Sequence, residues 1–224
     1  MNGNKALFLE EHCRKKGISF CRFDYRGHGM SNPGSFLSYA LSDWIQDAEQ
    51  ILVNVLEAHD KVIVVGSSMG AWIACHVALR HPEKVSGIVG VAAGIDFTET
   101  ILRSASQEQA NDWKVNGVAY FPSQYEDDPY PISWNLIQDA QEKWLLLSKP
   151  SIPIKCPVRL LHGQEDDDVS WHVSTKLGAA LASQNVVLSL IKDGDHRLSR
   201  PQDLKRMADC LDELLASTDT QNGK

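Results

Sequence analysis

The chain lacks the features that would point away from an ordinary folded catalyst or binding domain. Its five cysteines (Cys13, Cys21, Cys75, Cys156 and Cys210) are odd in number, scattered, and never spaced C-x-x-C. That argues against a disulfide framework and against a zinc site, and reads as reduced thiols in an intracellular compartment, several of them buried as small hydrophobes. No apolar run approaches the roughly 18 residues of a membrane span, so stable membrane insertion is not expected. The first residues carry neither a signal-peptide pattern nor an Arg-rich amphipathic leader. Basic residues form no stripe, and the net charge is −7, which argues against nucleic acid as the partner. Internal repeats are absent.

What is present is a chain of 224 residues, 43% hydrophobic and 23% charged, long enough to bury a substantial core. Strand-like and helical stretches alternate. Helical spacing over Leu7, Leu9 and Cys13 closes at Gly17. Residues 18–24 read as a strand running into the glycine-rich turn Asp24-Tyr25-Arg26-Gly27-His28-Gly29-Met30-Ser31, continued by Pro33-Gly34. Ser42 is placed to cap a helix over 42–58. Val62 to Val65 and Val85 to Val91 are β-branched runs with the helix Ala71 to Leu79 between them. Val158 to Leu161 and Val186 to Ile191 are two more strands, with a helix from Trp171 to Ala182, and Pro201 opens a last helix as far as about Leu215. Near-continuous apolar strands alternating with helices predict a mostly parallel sheet covered on both faces. One α/β domain is expected over 1–217, with 218–224 a disordered tail. Residues 94–150 break the rhythm and hold eight of the seventeen aromatics. They are expected to form an inserted helical cap, whose rings serve both its own core and the roof of a pocket.

The central stretch is Val62-Ile63-Val64-Val65-Gly66-Ser67-Ser68-Met69-Gly70-Ala71: strand, tight turn, helix, with G-x-S-x-G at the turn. This is the pattern of a nucleophile elbow, a serine held on strained backbone at a strand tip. In that frame Ser68 has Gly66 and Gly70 around it, whereas Ser67 would have Val65 and Met69. Both glycines are expected to be required because a Cβ would collide in the turn. A serine hydroxyl needs a base within hydrogen-bond reach, and the base needs an acid to orient it. His196 follows the last strand in a Gly/Asp loop and is the candidate base. His162 reads as structural and His28 as lining. Asp166 is the candidate acid with Asp167 in reserve; Asp193 and Asp195 are too close to His196 in sequence to orient its ring. The backbone N–H of Met69 is the expected oxyanion donor. The order Ser68, Asp166, His196 fits three strand ends of one open sheet.

These segments resemble the α/β-hydrolase superfamily. The turn Asp24 to Ser31 is similar to its D-x-R-G-x-G-x-S, Gly66 to Gly70 to its elbow, His162-Gly163-Gln164-Glu165-Asp166-Asp167-Asp168-Val169 to its H-G-x-x-D-x-x-V acid turn, and Asp195-His196 to its base loop. Arg22-Phe23-Asp24-Tyr25, Arg80-His81-Pro82-Glu83-Lys84-Val85, Cys156-Pro157-Val158-Arg159-Leu160-Leu161, Trp171-His172 and Asp195-His196-Arg197 resemble the mitochondrial branch that removes palmitoyl groups from protein cysteines and cleaves acyl glucuronides. The resemblance implies a serine acyl hydrolase with no cofactor and no metal, acting on acylated proteins or small acyl esters and thioesters. It implies a mitochondrial location, with a cytoplasmic one expected for a form without a transit peptide. It also implies further strands, and a loop giving a second oxyanion donor, ahead of the first helix. Their absence from this sequence motivates the alternative of a catalytically impaired form or a binding protein on the same fold.

Overall fold

The computed structural model describes residues 2–31, 35–55, 61–122 and 129–222. Helix α1 (Asn4–Lys16) ends as its sequence dictates, with Gly17 at φ 69° donating back to the Arg14 and Cys13 carbonyls, a conformation that costs glycine little. Residues 18–24 form no strand ladder among the described residues. The apolar alternation is used all the same, since Ile18 and Phe20 pack onto the sheet-and-helix core. Helix α2 (Leu41–Gln50) passes into a π-helical turn at Ile51–Val55. It starts one residue ahead of Ser42, and Asp43 rather than Ser42 closes the first turn by accepting from Ala40 N–H at 2.9 Å. Pro33, Gly34 and the expected continuation of this helix through 56–58 lie outside the described residues.

Then follow β1 (Val62–Ser67), α3 (Met69–Arg80), β2 (Val85–Val91), α4 (Phe97–Ser104), α5 (Gln107–Asn116), β3 (Val118–Phe121), β4 (Tyr130–Ser133), α6 (Trp134–Lys143), β5 (Val158–Gly163), α7 (His172–Ala180), β6 (Val186–Ile191) and α8 (Pro201–Asn222). The last helix runs beyond Leu215, so the tail expected over 218–224 is helical as far as Asn222; no Gly or Pro interrupts it before Gly223. Gly223 and Lys224 lie outside the described residues.

Strands pair in parallel in the order β1-β2-β5-β6. Alternate residues feed two cores. Val64, Ile88, Val158 and Leu160 face α2, α3, α6 and α7. Ile63, Val65, Val89, Val91, Leu161 and Ile191 face α1 and α8, meeting Leu9, Cys13, Met207, Leu211 and Leu214. Both faces are covered, as the apolar strands required.

Segment 94–150 departs from a purely helical insertion: β3 and β4 form an antiparallel pair within it. Trp113 anchors the pair, with its indole N–H on the Ile132 carbonyl at 2.9 Å and its ring against Phe121 and Trp134. The two ends of the segment are tied together. Buried Asp96, at φ 53°, accepts from Leu146 N–H at 2.9 Å and Leu147 N–H at 2.7 Å. The Trp144 carbonyl accepts from Trp72 Nε1 at 3.1 Å and His76 Nε2 at 2.8 Å, both on α3. Ser42, freed from capping, gives its hydroxyl to Asp139 of α6 at 2.6 Å and accepts from Trp144 Nε1 at 2.8 Å.

Candidate active site

Four residues named from sequence meet at the C-terminal ends of β1, β5 and β6. Ser68 lies between β1 and α3 at φ 53°, ψ −122°, a backbone state that non-glycine residues rarely occupy and that persists only where its surroundings hold it. They do: Ser68 N–H donates to the Val91 carbonyl at 2.9 Å, and the Ser68 carbonyl accepts from Ala71 N–H at 3.0 Å and Gly94 N–H at 3.1 Å. The two elbow glycines turn out unequal. A Cβ on Gly66 would sit 2.2 Å from the Gly70 carbonyl oxygen, whereas one on Gly70 would meet nothing within 4 Å. The expectation that both are sterically required is corrected: Gly70 has neither a neighbour in the way nor a positive φ. Ser67 is exposed. Met69 opens α3, so its N–H has no intrahelical acceptor.

The Ser68 hydroxyl lies 3.1 Å from His196 Nε2, and His196 Nδ1 lies 2.8 Å from Asp166 Oδ2. Since Asp166 can only accept, Nδ1 carries the proton and Nε2 is free to take one from the hydroxyl. Asp167 is exposed. Asp193 pairs with Arg200 at 2.7 Å, and Asp195 accepts from Leu198 N–H at 2.8 Å, so neither orients His196. The base loop is further clamped by Arg200 bridging to Asp203 at 2.6 Å and by Lys5 of α1, whose ammonium donates to the Arg197 carbonyl.

Asp166 has a side chain fully shielded from solvent. Burial alone would raise its carboxyl; hydrogen bonds from His162, His196 and the Val169 N–H outweigh that and hold it well below the usual carboxylate range. His28 is half-buried among Tyr25, Phe36 and Trp44, edge-on to each. What the sequence did not reveal is the part of His162. It is fully buried, 3.0 Å from the same Asp166 oxygen that takes His196. A carboxylate oxygen of exposed Asp168 lies within 4.8 Å of an Asp166 carboxylate oxygen and a His196 ring nitrogen. The arrangement of a hydroxyl, a singly protonated imidazole and a buried carboxylate in one line is suited to nucleophilic acyl transfer.

The family model described as serine aminopeptidase, S33 matches residues 9–133. The mitochondrial palmitoyl-protein thioesterase ABHD10 of Bos taurus is 37% identical over 221 residues, covering 98% of this chain and 71% of that protein. Among solved structures, alpha/beta hydrolase domain-containing protein 10 from mouse superposes with a TM-score of 0.89 at 35% identity, over 97% of this chain and 86% of that one. A putative hydrolase from Agrobacterium vitis S4 superposes with a TM-score of 0.87, also at 35% identity, over 96% of this chain and 83% of that one.

Proposed function

The chain belongs to the α/β-hydrolase superfamily and is a serine hydrolase, and from that premise we propose that it cleaves fatty acyl thioesters on protein cysteines, with acyl glucuronides as a second class of substrate. Ser68 Oγ attacks the acyl carbonyl while His196 Nε2 takes its proton. Asp166 holds the His196 ring in the Nδ1–H tautomer and balances the imidazolium that forms. The Met69 N–H stabilises the oxyanion. His196 then returns the proton to the leaving thiol or alcohol, and water, activated by the same imidazole, releases the acid from the acyl-enzyme. No metal or organic cofactor enters these steps. Residues 94–150 serve as a cap over the strand ends, within one hydrolase domain over 1–217. A mitochondrial location follows the names of the relatives.

The observation that carries this reading is the unbroken hydrogen-bonded line from Ser68 through His196 to Asp166, at 3.1 and 2.8 Å. Among the described residues no helix is long and apolar enough to cross a membrane. The test combines fluorophosphonate labelling with hydrolysis of a palmitoylated cysteine peptide and of an acyl glucuronide. Ser68→Ala is expected to abolish labelling and to lower turnover of both by about 10⁴-fold or more. Retained labelling in that variant would overturn the assignment, and cleavage of the peptide alone would confine the activity to thioesters.

A further inference from the structure

β5 reads Val-Arg-Leu-Leu-His-Gly, and its residues 158 and 160 face the apolar core beside α7. His162 continues that face. An imidazole there is costly unless every polar atom finds a partner, and all of them do. Nδ1 lies 2.6 Å from the hydroxyl of Ser174, itself fully buried on α7. Nε2 lies 3.0 Å from Asp166 Oδ2 and 2.9 Å from the Val169 carbonyl. Both Nε2 neighbours are acceptors, so Nε2 holds the proton, and Nδ1 accepts from Ser174. One tautomer satisfies all three contacts.

The consequence falls on Asp166. Its Oδ1 accepts from Asp168 N–H at 3.0 Å and Val169 N–H at 2.8 Å. Its Oδ2 accepts from His162 and from His196. A carboxylate offers about four lone-pair directions, and here four N–H groups occupy them. The group cannot turn without breaking a buried bond. We propose that His162, held in one tautomer by Ser174, is a positioning residue that fixes Asp166 beneath His196. This rests on the Ser68–His196–Asp166 reading and extends its line to five side chains.

The titratable groups around Asp166 are His162 from β5, His196 from the base loop and Asp168 from its own turn, while α7 contributes the neutral Ser174 hydroxyl. Removing the His162 donor leaves more charge on the Asp166 carboxylate, which then binds the protonated form of the base above it more tightly. The acid limb of kcat/KM, which reports protonation of that base in the free enzyme, should then move upward. Loss of an outer hydrogen-bond partner lowers activity by about 10–100-fold where it has been measured around metal ligands, and a similar loss in kcat, with KM unchanged, is expected for His162→Leu. His162→Gln places an amide N–H near the position of Nε2 and should restore most of the rate and return the limb. Ser174→Ala should move the limb in the same direction by less.

The measurement is turnover of a soluble acyl thioester against pH by the full chain, normalised to sites titrated with fluorophosphonate, with thermal melting as the fold control. An acid limb in His162→Leu that stays at the wild-type pH, or a Gln variant no better than Leu, overturns the proposal. Should His162→Leu fail to fold, the Gln and Ser174→Ala variants decide: wild-type limbs and kcat in Ser174→Ala, with a Gln variant as impaired as an inert one, overturn it. Turnover retained in Ser68→Ala is a different failure, that of the underlying triad, and is read independently of every His162 variant.

Discussion

Asp166 joins two requirements that pull against each other. A carboxylate under a general base must stay ionised, yet the site must be dry enough for its bonds to count. Burial pushes its carboxyl up; the bonds from His162, His196 and Val169 pull it down further. A group whose folded value is depressed contributes stability that is complete above its unfolded value, near 4, and is lost as pH falls toward the folded one. Asp166→Asn should therefore be destabilised at neutral pH, by about 1–3 kcal/mol for a buried network left with mismatched donors. The gap between its melting temperature and that of the wild type should close as pH falls below about 4. A gap that is constant with pH would mean the ionised state of Asp166 is not what the fold relies on.

At the scale of the element, the elbow makes the sharpest distinction. Gly66 faces the backbone of Gly70 across the turn, and any Cβ there lands 2.2 Å from a carbonyl oxygen that cannot move without unwinding α3. Gly66→Ala should abolish fluorophosphonate labelling. Gly70 lies in the first turn of α3 with open space around its Cα. Gly70→Ala should keep labelling and raise stability by up to about 1 kcal/mol, the ordinary helical gain over glycine. The G-x-S-x-G pattern named the right serine but could not rank its glycines, because the collision is between residues four apart and depends on the turn's actual path. Elsewhere the same division holds. The parallel strands were legible because apolar runs bounded by turns are a local signal, and the strand-end placement of Ser68, Asp166 and His196 followed from them. Residues 18–24 carried a strand-like pattern, but a strand also needs a neighbour to bond with, and pattern alone does not supply one. The pair β3 and β4 was hidden by Pro131 and by short runs among helical stretches. His162 was legible as a buried histidine, but not as a partner of Asp166, since its contacts come from a turn and from α7.

For the whole molecule, the same physics that dries the site makes the fold sensitive to acid in two separate windows. His76 sits on α3, buried, with its Nε2–H on the Trp144 carbonyl at 2.8 Å, and so fastens the end of segment 94–150 to the helix that follows the elbow. Burial, which outweighs the favourable bond to Trp144, pushes its imidazole down to about 4, with Lys149 and Arg80 adding to the effect. A histidine depressed in the folded state leaves the unfolded chain holding more protons below about 6.5. Stability is therefore complete above that pH and falls as pH drops from about 6.5 to about 4, by roughly 3 kcal/mol at 1.36 kcal/mol per unit. The Asp166 contribution is lost in the window beneath. His76→Gln keeps an N–H donor for Trp144 and has nothing to titrate, so its unfolding free energy should be flat across the upper window, while the decline below about 4 remains. Urea denaturation of the two proteins at pH 7, 5.5 and 4 separates the cases. Parallel losses in both would place the acid sensitivity outside the α3–Trp144 junction and leave segment 94–150 fastened by the bonds of Asp96 and Ser42 rather than by a neutral His76.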